Sequence, residues 1–133
     1  MIRLGIEPSY AKAFRMALPS KVNAMLLSAE FWVSALMRRV ELSGSFAYIV
    51  RRGDAQFGSV LVKIVNLRTR SAYLLREAQK NDASVWMRPL ETQVEGDLDA
   101  YIARQVKYDP DLWVVEIEDV EGRHFLTEPV ELS

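Results

Sequence analysis

Apolar residues recur with helical spacing in the segment that follows Ser28. Trp32, Leu36 and Val40 fall at i, i+4 and i+8, which places them on one face of a helix. Ser28 is a residue type that caps helix N-termini, and Gly44 can take the left-handed conformation that ends a helix. The pattern predicts a helix over residues 29–43.

A second helical period runs from Glu95 to Lys107. Acidic residues crowd its start and basic residues its end, which is the arrangement that the helix dipole favours. Pro110 disfavours helical angles at the residue before it, so the helix is predicted to end at or before Asp109.

Between these segments, β-branched and aromatic residues form four short runs bounded by turn residues. The run at 60–67 is apolar on both faces except at Lys63, which favours a central strand covered on both sides. Short connections favour antiparallel neighbours, so the runs are predicted to form a meander. The predicted strands are residues 46–52, 60–67, 72–76 and 85–88, with residues 79–83 as a loop.

The stretch from Asp109 to Asp119, which reads DPDLWVVEIED, predicts the last major strand over residues 112–119. Its odd positions are predicted to face the core, because strand side chains alternate between two faces. Its even positions end in the acids Glu116 and Glu118. Residues 124–126 are predicted as a short edge strand.

These elements predict an α+β fold, in which a mostly antiparallel sheet of four or five strands packs against two helices. The element order is αβββ(β)αβ. One domain is expected over residues 28–133, and residues 1–27 are expected to be a flexible extension or an over-long gene start. The three tryptophans are predicted to lie in the core, since each belongs to an apolar pattern: Trp32, Trp86 and Trp113.

Charge is divided unevenly along the chain. Residues 28–90 carry ten Lys or Arg and five Asp or Glu, whereas residues 91–133 carry three and twelve. The two regions either neutralise each other in the fold or leave a dipolar surface suited to a charged partner or to head-to-tail self-association. We favour neutralisation, because segments that are distinct in sequence usually intermix in space.

Composition excludes several chemistries. The chain has no cysteine, which excludes disulfides and thiolate catalysis and fits a reducing, cytoplasmic compartment. His124 is the single histidine, and no nucleophile elbow, phosphate loop or dinucleotide fingerprint is present. No apolar run reaches the roughly 20 residues of a membrane span. We therefore expect no cofactor and no membrane partner.

Two arginine pairs are the candidate binding residues of the basic region. The planar guanidinium suits phosphates and carboxylates. If the strand packs back along the helix, the pairs need not adjoin, but one member of each can meet on one surface. The alternative is that these arginines pair with acids of the C-terminal third. We favour the alternative, because the chain as a whole is not basic. The pairs are Arg38 with Arg39 and Arg51 with Arg52.

Four acids are the candidate binding residues of the acidic region: Asp109, Asp111, Glu116 and Glu118. A hard cation needs several oxygens that converge on one point, and no calcium or zinc spacing is present. Asp109-Pro110-Asp111 fits a turn in which aspartate bonds the local backbone. No metal site is expected.

The element order is also that of many metal-dependent nucleases. Those enzymes need a carboxylate two positions before a lysine on a central strand, where it helps to hold the metal. Leu61-Val62-Lys63 lacks that acid, so the likeness is one of layout only.

Three motifs together carry a family resemblance: FWVSALMRR at residues 31–39, RRGD at residues 51–54, and DPDLWVVEIED at residues 109–119. With them, the chain resembles domain-of-unknown-function family 1491, whose members are short, mostly alphaproteobacterial proteins. The resemblance covers about residues 25–126. Family members generally begin just ahead of the first helix, so residues 1–24 depart from the pattern. The resemblance implies no particular activity.

Two functional hypotheses follow. The first is a non-enzymatic binding or protein-interaction module, homodimeric or with another protein partner, which uses the arginine surface or the acidic strand end. The second, less favoured, is a nucleic-acid-binding or degenerate nuclease-like domain that uses the arginines. An enzymatic role is not favoured, because no residues form a recognisable catalytic set.

Overall fold

The structure is a computed structural model that describes residues 27–132, so the predicted N-terminal extension lies almost wholly outside the described residues. In the described residues, two helices and six strands follow one another in the order αββββαββ. They are α1 (Ala29–Leu42), β1 (Phe46–Arg51), β2 (Val60–Asn66), β3 (Ala72–Lys80), β4 (Ala83–Met87), α2 (Glu95–Tyr108), β5 (Trp113–Asp119) and β6 (Val130–Glu131).

Both predicted helices are confirmed. At the start of α1, the Ser28 hydroxyl accepts a hydrogen bond from the Phe31 amide at 3.1 Å, which satisfies one of the free amides of the first turn. Gly44 follows the end of α1 with a φ of 85°. The first turn of α2 has no side-chain cap, and Glu95 and Asp97 instead supply negative charge there.

The sheet has six strands in the order β1-β5-β2-β3-β4-β6. Three neighbouring pairs are antiparallel, whereas β2 with β5 and β4 with β6 are parallel. The α+β class and the two helices are confirmed. The predicted number of four or five strands is wrong, because the sheet has six, and the sheet is mixed, because two of its strand pairs are parallel. The parallel β2–β5 pair arises because α2 crosses the sheet before β5 begins, and a crossover is what a parallel connection needs.

The position of β5 also corrects the predicted meander. β5 lies between β1 and β2, so β1 is not a neighbour of the strand that follows it in sequence. Only β2, β3 and β4 form consecutive hairpins. As a result β1 is one edge of the sheet that residues 27–132 form.

The predicted loop at residues 79–83 is wrong. β3 continues to Lys80 and β4 begins at Ala83, so only Asn81 and Asp82 form the turn. Both turn residues have positive φ, 51° and 64°, as a two-residue type I′ hairpin turn requires. Asn and Asp tolerate a positive φ better than most residues. The polar composition of residues 79–83 favoured a loop, although Gln79 and Lys80 continue β3 and Ala83 begins β4.

The predicted edge strand at residues 124–126 is also wrong. That segment is irregular and crosses the end of α1, where the Phe125 carbonyl accepts a hydrogen bond from Arg39 Nε at 3.0 Å. The short edge strand is β6, which follows Pro129 and pairs with β4.

The helices cover opposite faces of the sheet. On the α1 face, all three tryptophans are buried, which confirms the prediction, and Trp32 stacks on Trp86 with 4.9 Å between ring centroids. On the α2 face, Leu98 packs on Val65 and Leu74. β2 is buried along almost its whole length, as expected for a strand covered on both sides.

Residues 53–58 form a loop that is pinned against the start of β5. The Asp54 amide donates to the Asp111 carbonyl at 3.0 Å, and the indole Nε1 of Trp113 donates to the Asp54 carbonyl at 2.7 Å. A Cβ at Gly53 would lie 2.1 Å from the Asp111 carbonyl oxygen, and one at Gly58 would lie 2.3 Å from it. Glycine is required at both positions because the two backbones approach this closely.

Candidate functional site

The two predicted arginine pairs are held at different places in the fold. Arg38 is exposed on α1, whereas Arg39 is half-buried and bonds the Phe125 carbonyl. Burial lowers the pKa of Arg39. Arg39 therefore helps to hold the segment that crosses the end of α1.

Arg51 and Arg52 lie at the other end of α1, where its first turn is close to the turn before β5. Arg51 Nη1 donates to the carbonyls of Pro110 and Leu112, at 2.9 and 2.7 Å. Arg52 pairs with Glu30 at 2.6 Å, and its guanidinium lies 4.9 Å from the centroid of the Trp113 ring.

The arginine pairs do not converge on one surface. Glu30, the partner of Arg52, is in the first turn of α1 and Arg39 is in its last turn. At 1.5 Å per residue these positions are about 13 Å apart along the helix. A binding role for the four arginines remains a prediction, but they do not form one guanidinium cluster.

Asp109 and Asp111 form the predicted turn. The Asp109 carboxylate accepts a hydrogen bond from the Asp111 amide at 3.1 Å. The Leu112 amide donates to the Asp109 carbonyl at 3.2 Å. This turn brings the chain from α2 into β5 and offers the carbonyls that Arg51 and Asp54 bind.

Glu116 and Glu118 belong to a charged cluster on the α2 face of the sheet. Its centre is Lys63, whose side chain is almost completely buried and whose Nζ lies 2.6 Å from Glu95, 2.7 Å from Asp99 and 3.6 Å from Glu116. Glu118 adjoins Glu116, and a hydrogen bond between the two side chains is one cause that raises the pKa of Glu116. We call the four acids around Lys63, namely Glu95, Asp99, Glu116 and Glu118, the carboxylate patch.

The carboxylate patch carries more negative charge than Lys63 can neutralise. Burial alone would lower the pKa of Lys63, but hydrogen bonds to Asp99 and Glu95 outweigh it and the pKa is raised. Burial raises the pKa of Glu116, the Glu118 carboxyl raises it further, and Lys63 opposes them. When all groups are ionised, the four carboxylates outnumber the one ammonium of the cluster, so the cluster carries a net negative charge.

The outer edge of the sheet lies directly beside this patch. Phe46 and Tyr48 of β1 are paired with Glu118 and Glu116 of β5, so their side chains share the α2 face. Phe46 is 55% exposed and Tyr48 is 47% exposed. Ile49 and Val50 of the same strand are exposed as well. We call the four β1 residues Phe46, Tyr48, Ile49 and Val50 the docking edge.

Sequence reasoning predicted the strand 46–52 and the acids of β5 but not their contact. The missing information was that β5 inserts beside β1, which is a long-range pairing. Lys63 was noted only as a polar interruption of an apolar strand. That interruption was the one local signal of the cluster, because a buried lysine requires carboxylate partners.

Within residues 27–132, no three His, Cys, Asp or Glu side chains are arranged to hold a metal ion. In the same part of the chain, neither helix has the length and apolarity to cross a bilayer.

A family model described as "Protein of unknown function (DUF1491)" matches residues 27–127. The chain belongs to the DUF1491 family. Its description assigns no activity, so the function of the family is unknown. A search of curated proteins found no match.

Three solved structures, two of them of a DUF1491 family protein, are similar to this chain. A crystal structure of a DUF1491 family protein from Caulobacter crescentus CB15 matches this chain with a TM-score of 0.77 and 56% sequence identity. The match covers 80% of this chain and 100% of the Caulobacter chain. Its NMR structure gives a TM-score of 0.75, with 80% and 98% covered. Protein Atu0922 from A. tumefaciens, in solution, is 29% identical with a TM-score of 0.64, and covers 77% of this chain and 94% of its own.

Proposed function

We propose that this DUF1491 protein is a non-enzymatic interaction module that binds a strand of a partner polypeptide along β1. The observation that carries the proposal is the docking edge. Within residues 27–132, β1 has a neighbouring strand on one side only, and four of its six residues are large apolar residues that stay exposed.

An edge strand presents unpaired amides and carbonyls that can bind another extended chain. Proteins protect such edges with lysine, proline, short strands or bulges. β1 contains neither lysine nor proline. Its one charged residue, Arg51, bonds the Pro110 and Leu112 carbonyls, and its one bulge lies at Val50, near its end. By contrast, the other edge strand, β6, has only two residues. β1 is therefore the edge suited to strand addition, a recurring mode of peptide recognition.

Other features agree with a binding role. Lys63, Asp119 and Arg123, three titratable groups whose pKa values are shifted, are engaged in ion pairs that support the fold. A cytoplasmic location, supported by the lack of cysteine, is part of the same proposal.

The edge can be tested with a displayed decapeptide library selected on the full chain. Val50→Lys places a charge on the docking edge, and we expect the selected peptides to lose at least about tenfold in affinity, because edge lysines oppose strand pairing. Val94→Lys is the matched control, since Val94 is a similarly exposed valine (61% against 59%) at the start of α2. Affinity is measured by biolayer interferometry.

Peptides that bind both variants as well as they bind the natural chain would contradict the proposal. Light scattering on the same proteins shows whether the strand comes from a second copy. A dimer that Val50→Lys dissociates and Val94→Lys leaves intact would support strand addition, with the protein itself as partner.

A further inference from the structure

We infer that the strand bound along β1 is basic, with Lys or Arg at alternate positions that face the carboxylate patch. The inference rests on the proposed function and adds the chemistry of the partner. It uses the α2 face of the sheet, where Phe46 and Tyr48 of the docking edge adjoin the patch.

The geometry follows from the register. Residues directly opposite each other in neighbouring strands share a face, and every second residue of a strand returns to that face. Phe46 and Tyr48 pair with Glu118 and Glu116, so all four side chains lie on the α2 face. A strand added outside β1 would therefore place alternate side chains beside Phe46 and Tyr48, two strands away from the carboxylates, at about 10 Å.

Lysine and arginine suit these positions in two ways. Their alkyl stems pack on apolar surface while the charged head stays in water, and their cations are attracted to aromatic faces. The exposed rings of Phe46 and Tyr48 offer that surface, and the carboxylates lie beyond the rings. A cation that crosses the rings approaches Glu116 and Glu118.

The charge of the patch favours such a cation. Glu116 and Glu118 adjoin each other, and repulsion between them is relieved when a positive group approaches. Lys63 does not do so fully, because its closest partners are Glu95 and Asp99 of α2 and Glu116 lies farther away at 3.6 Å. The uncompensated charge is therefore on the side of the patch that faces β1.

The same arrangement argues against two other partners. A symmetric pair of β1 strands puts the same face of both copies side by side, which brings two carboxylate patches to one surface. Like charges across an interface oppose association. A nucleic acid would bring phosphates to the same acids and is opposed in the same way.

The test uses two synthetic decapeptides, one of alternating Lys and Val and one of alternating Glu and Val, titrated into the full chain by calorimetry. We expect the Lys–Val peptide to bind at least about tenfold more tightly than the Glu–Val peptide, and to weaken as salt is raised. Val50→Lys should weaken the binding of the Lys–Val peptide more than Val94→Lys does, because Val94→Lys adds the same charge beside Glu95 but away from β1.

The double variant with Glu116→Gln and Glu118→Gln removes charge but keeps side-chain size. We expect it to weaken Lys–Val binding by about tenfold, the combined effect of two partly exposed charge contacts. Glu41→Gln with Glu121→Gln, at exposed sites outside the patch, is the charge-matched control. Thermal melts of both variants confirm that each is folded before titration.

The outcomes separate the two proposals. Binding that depends on Val50 but is indifferent to peptide charge, or unchanged in the double variant, overturns the basic partner and leaves strand addition standing. A β1-dependent homodimer does the same. If neither decapeptide nor any library peptide binds in a way that depends on Val50, and no β1-dependent dimer forms, both proposals fail.

Discussion

Replacement of Trp113 by alanine is expected to lower the free energy of unfolding by about 3–5 kcal/mol. Trp113 is fully buried at the start of β5, in the core cluster beneath α1. The substitution would remove that packing and leave a cavity. It would also remove the indole hydrogen bond to the Asp54 carbonyl and the ring under the Arg52 guanidinium.

The ring of Trp113 also organises the loop beside it. Cβ atoms built at Gly53 and Gly58 would come within 2.6 and 2.8 Å of the indole Cδ1, so the loop backbone packs directly on the ring. Loss of the ring therefore removes the support of residues 53–58 as well as core volume. This is why the expected cost lies in the upper range for single substitutions.

Urea denaturation of the natural chain and the variant measures the change. Phe57→Ala is the matched control, because Phe57 is an aromatic residue of the same loop that is 88% exposed, and it should change stability by less than about 0.5 kcal/mol. A loss below about 1 kcal/mol for Trp113→Ala would mean that the start of β5 does not anchor the core.

Replacement of Asp119 by alanine is expected to cost about 2–3 kcal/mol. Asp119 is buried at the end of β5, and its carboxylate accepts hydrogen bonds from the Ser45 hydroxyl, from the amides of Glu121 and Arg123, and from the Arg123 guanidinium at 2.8 and 3.1 Å. The variant would leave these donors without their acceptor. The value is below that of a fully buried ion pair because the Arg123 side chain is half exposed.

The Asp119 carboxylate should also make the free energy of unfolding fall as the pH becomes acidic. The Arg123 hydrogen bond is the largest cause that holds the pKa of Asp119 well below its usual range, with Ser45 and two amides adding to it against the opposing effect of burial. A depressed pKa stabilises the fold above the unfolded-state pKa of about 3.9, and this stabilisation is lost as pH falls below it. Between pH 5 and pH 2, Asp119→Asn should therefore lose less stability than the natural chain.

Denaturation at a series of pH values checks this result. Glu121→Gln is the control, because Glu121 is mostly exposed and its carboxylate is only 3.9 Å from Arg123. If Asp119→Asn kept the full acid dependence of the natural chain, the carboxylate would not be a principal source of that dependence.

Local sequence signals were enough for the elements that are stabilised locally. Ser28 and Gly44 mark the limits of α1, and the apolar run of β2 is central and covered on both faces. The DPDLWVVEIED run becomes a turn followed by β5, with its odd positions in the core beneath α1. In each case the deciding interactions involve residues close in sequence or a simple alternation.

The pairing of β5 could not be read in this way. The position that a strand takes in the sheet after a helical crossover depends on where both faces of that strand can be buried. That position is a property of the whole fold and not of the local sequence. The acidic strand inserts between β1 and β2, so the basic and acidic regions of the chain intermix. Lys63 with Glu95 and Lys80 with Glu131 are ion pairs between the two regions, as neutralisation in the fold predicts.

The candidate site was hidden for the same reason. Glu116 and Glu118 were recognised as acids at the even positions of the last strand, but their neighbours Phe46 and Tyr48 are about 70 positions earlier in the chain. The arginine pairs depended on long-range packing as well. One member of each pair was expected to meet on one surface, yet Arg39 and Arg52 act at opposite ends of α1.

Amide hydrogen exchange at β1, measured by NMR on the full chain with and without the Lys–Val decapeptide, tests the central claim most directly. In an antiparallel strand, alternate amides point away from the neighbour, so the outward amides of residues 46–51 should exchange quickly in the free protein. The bound peptide should slow those amides selectively. Unchanged exchange along β1, or protection confined to another surface such as the Arg68–Arg70 turn, would contradict the binding of a basic strand at this edge.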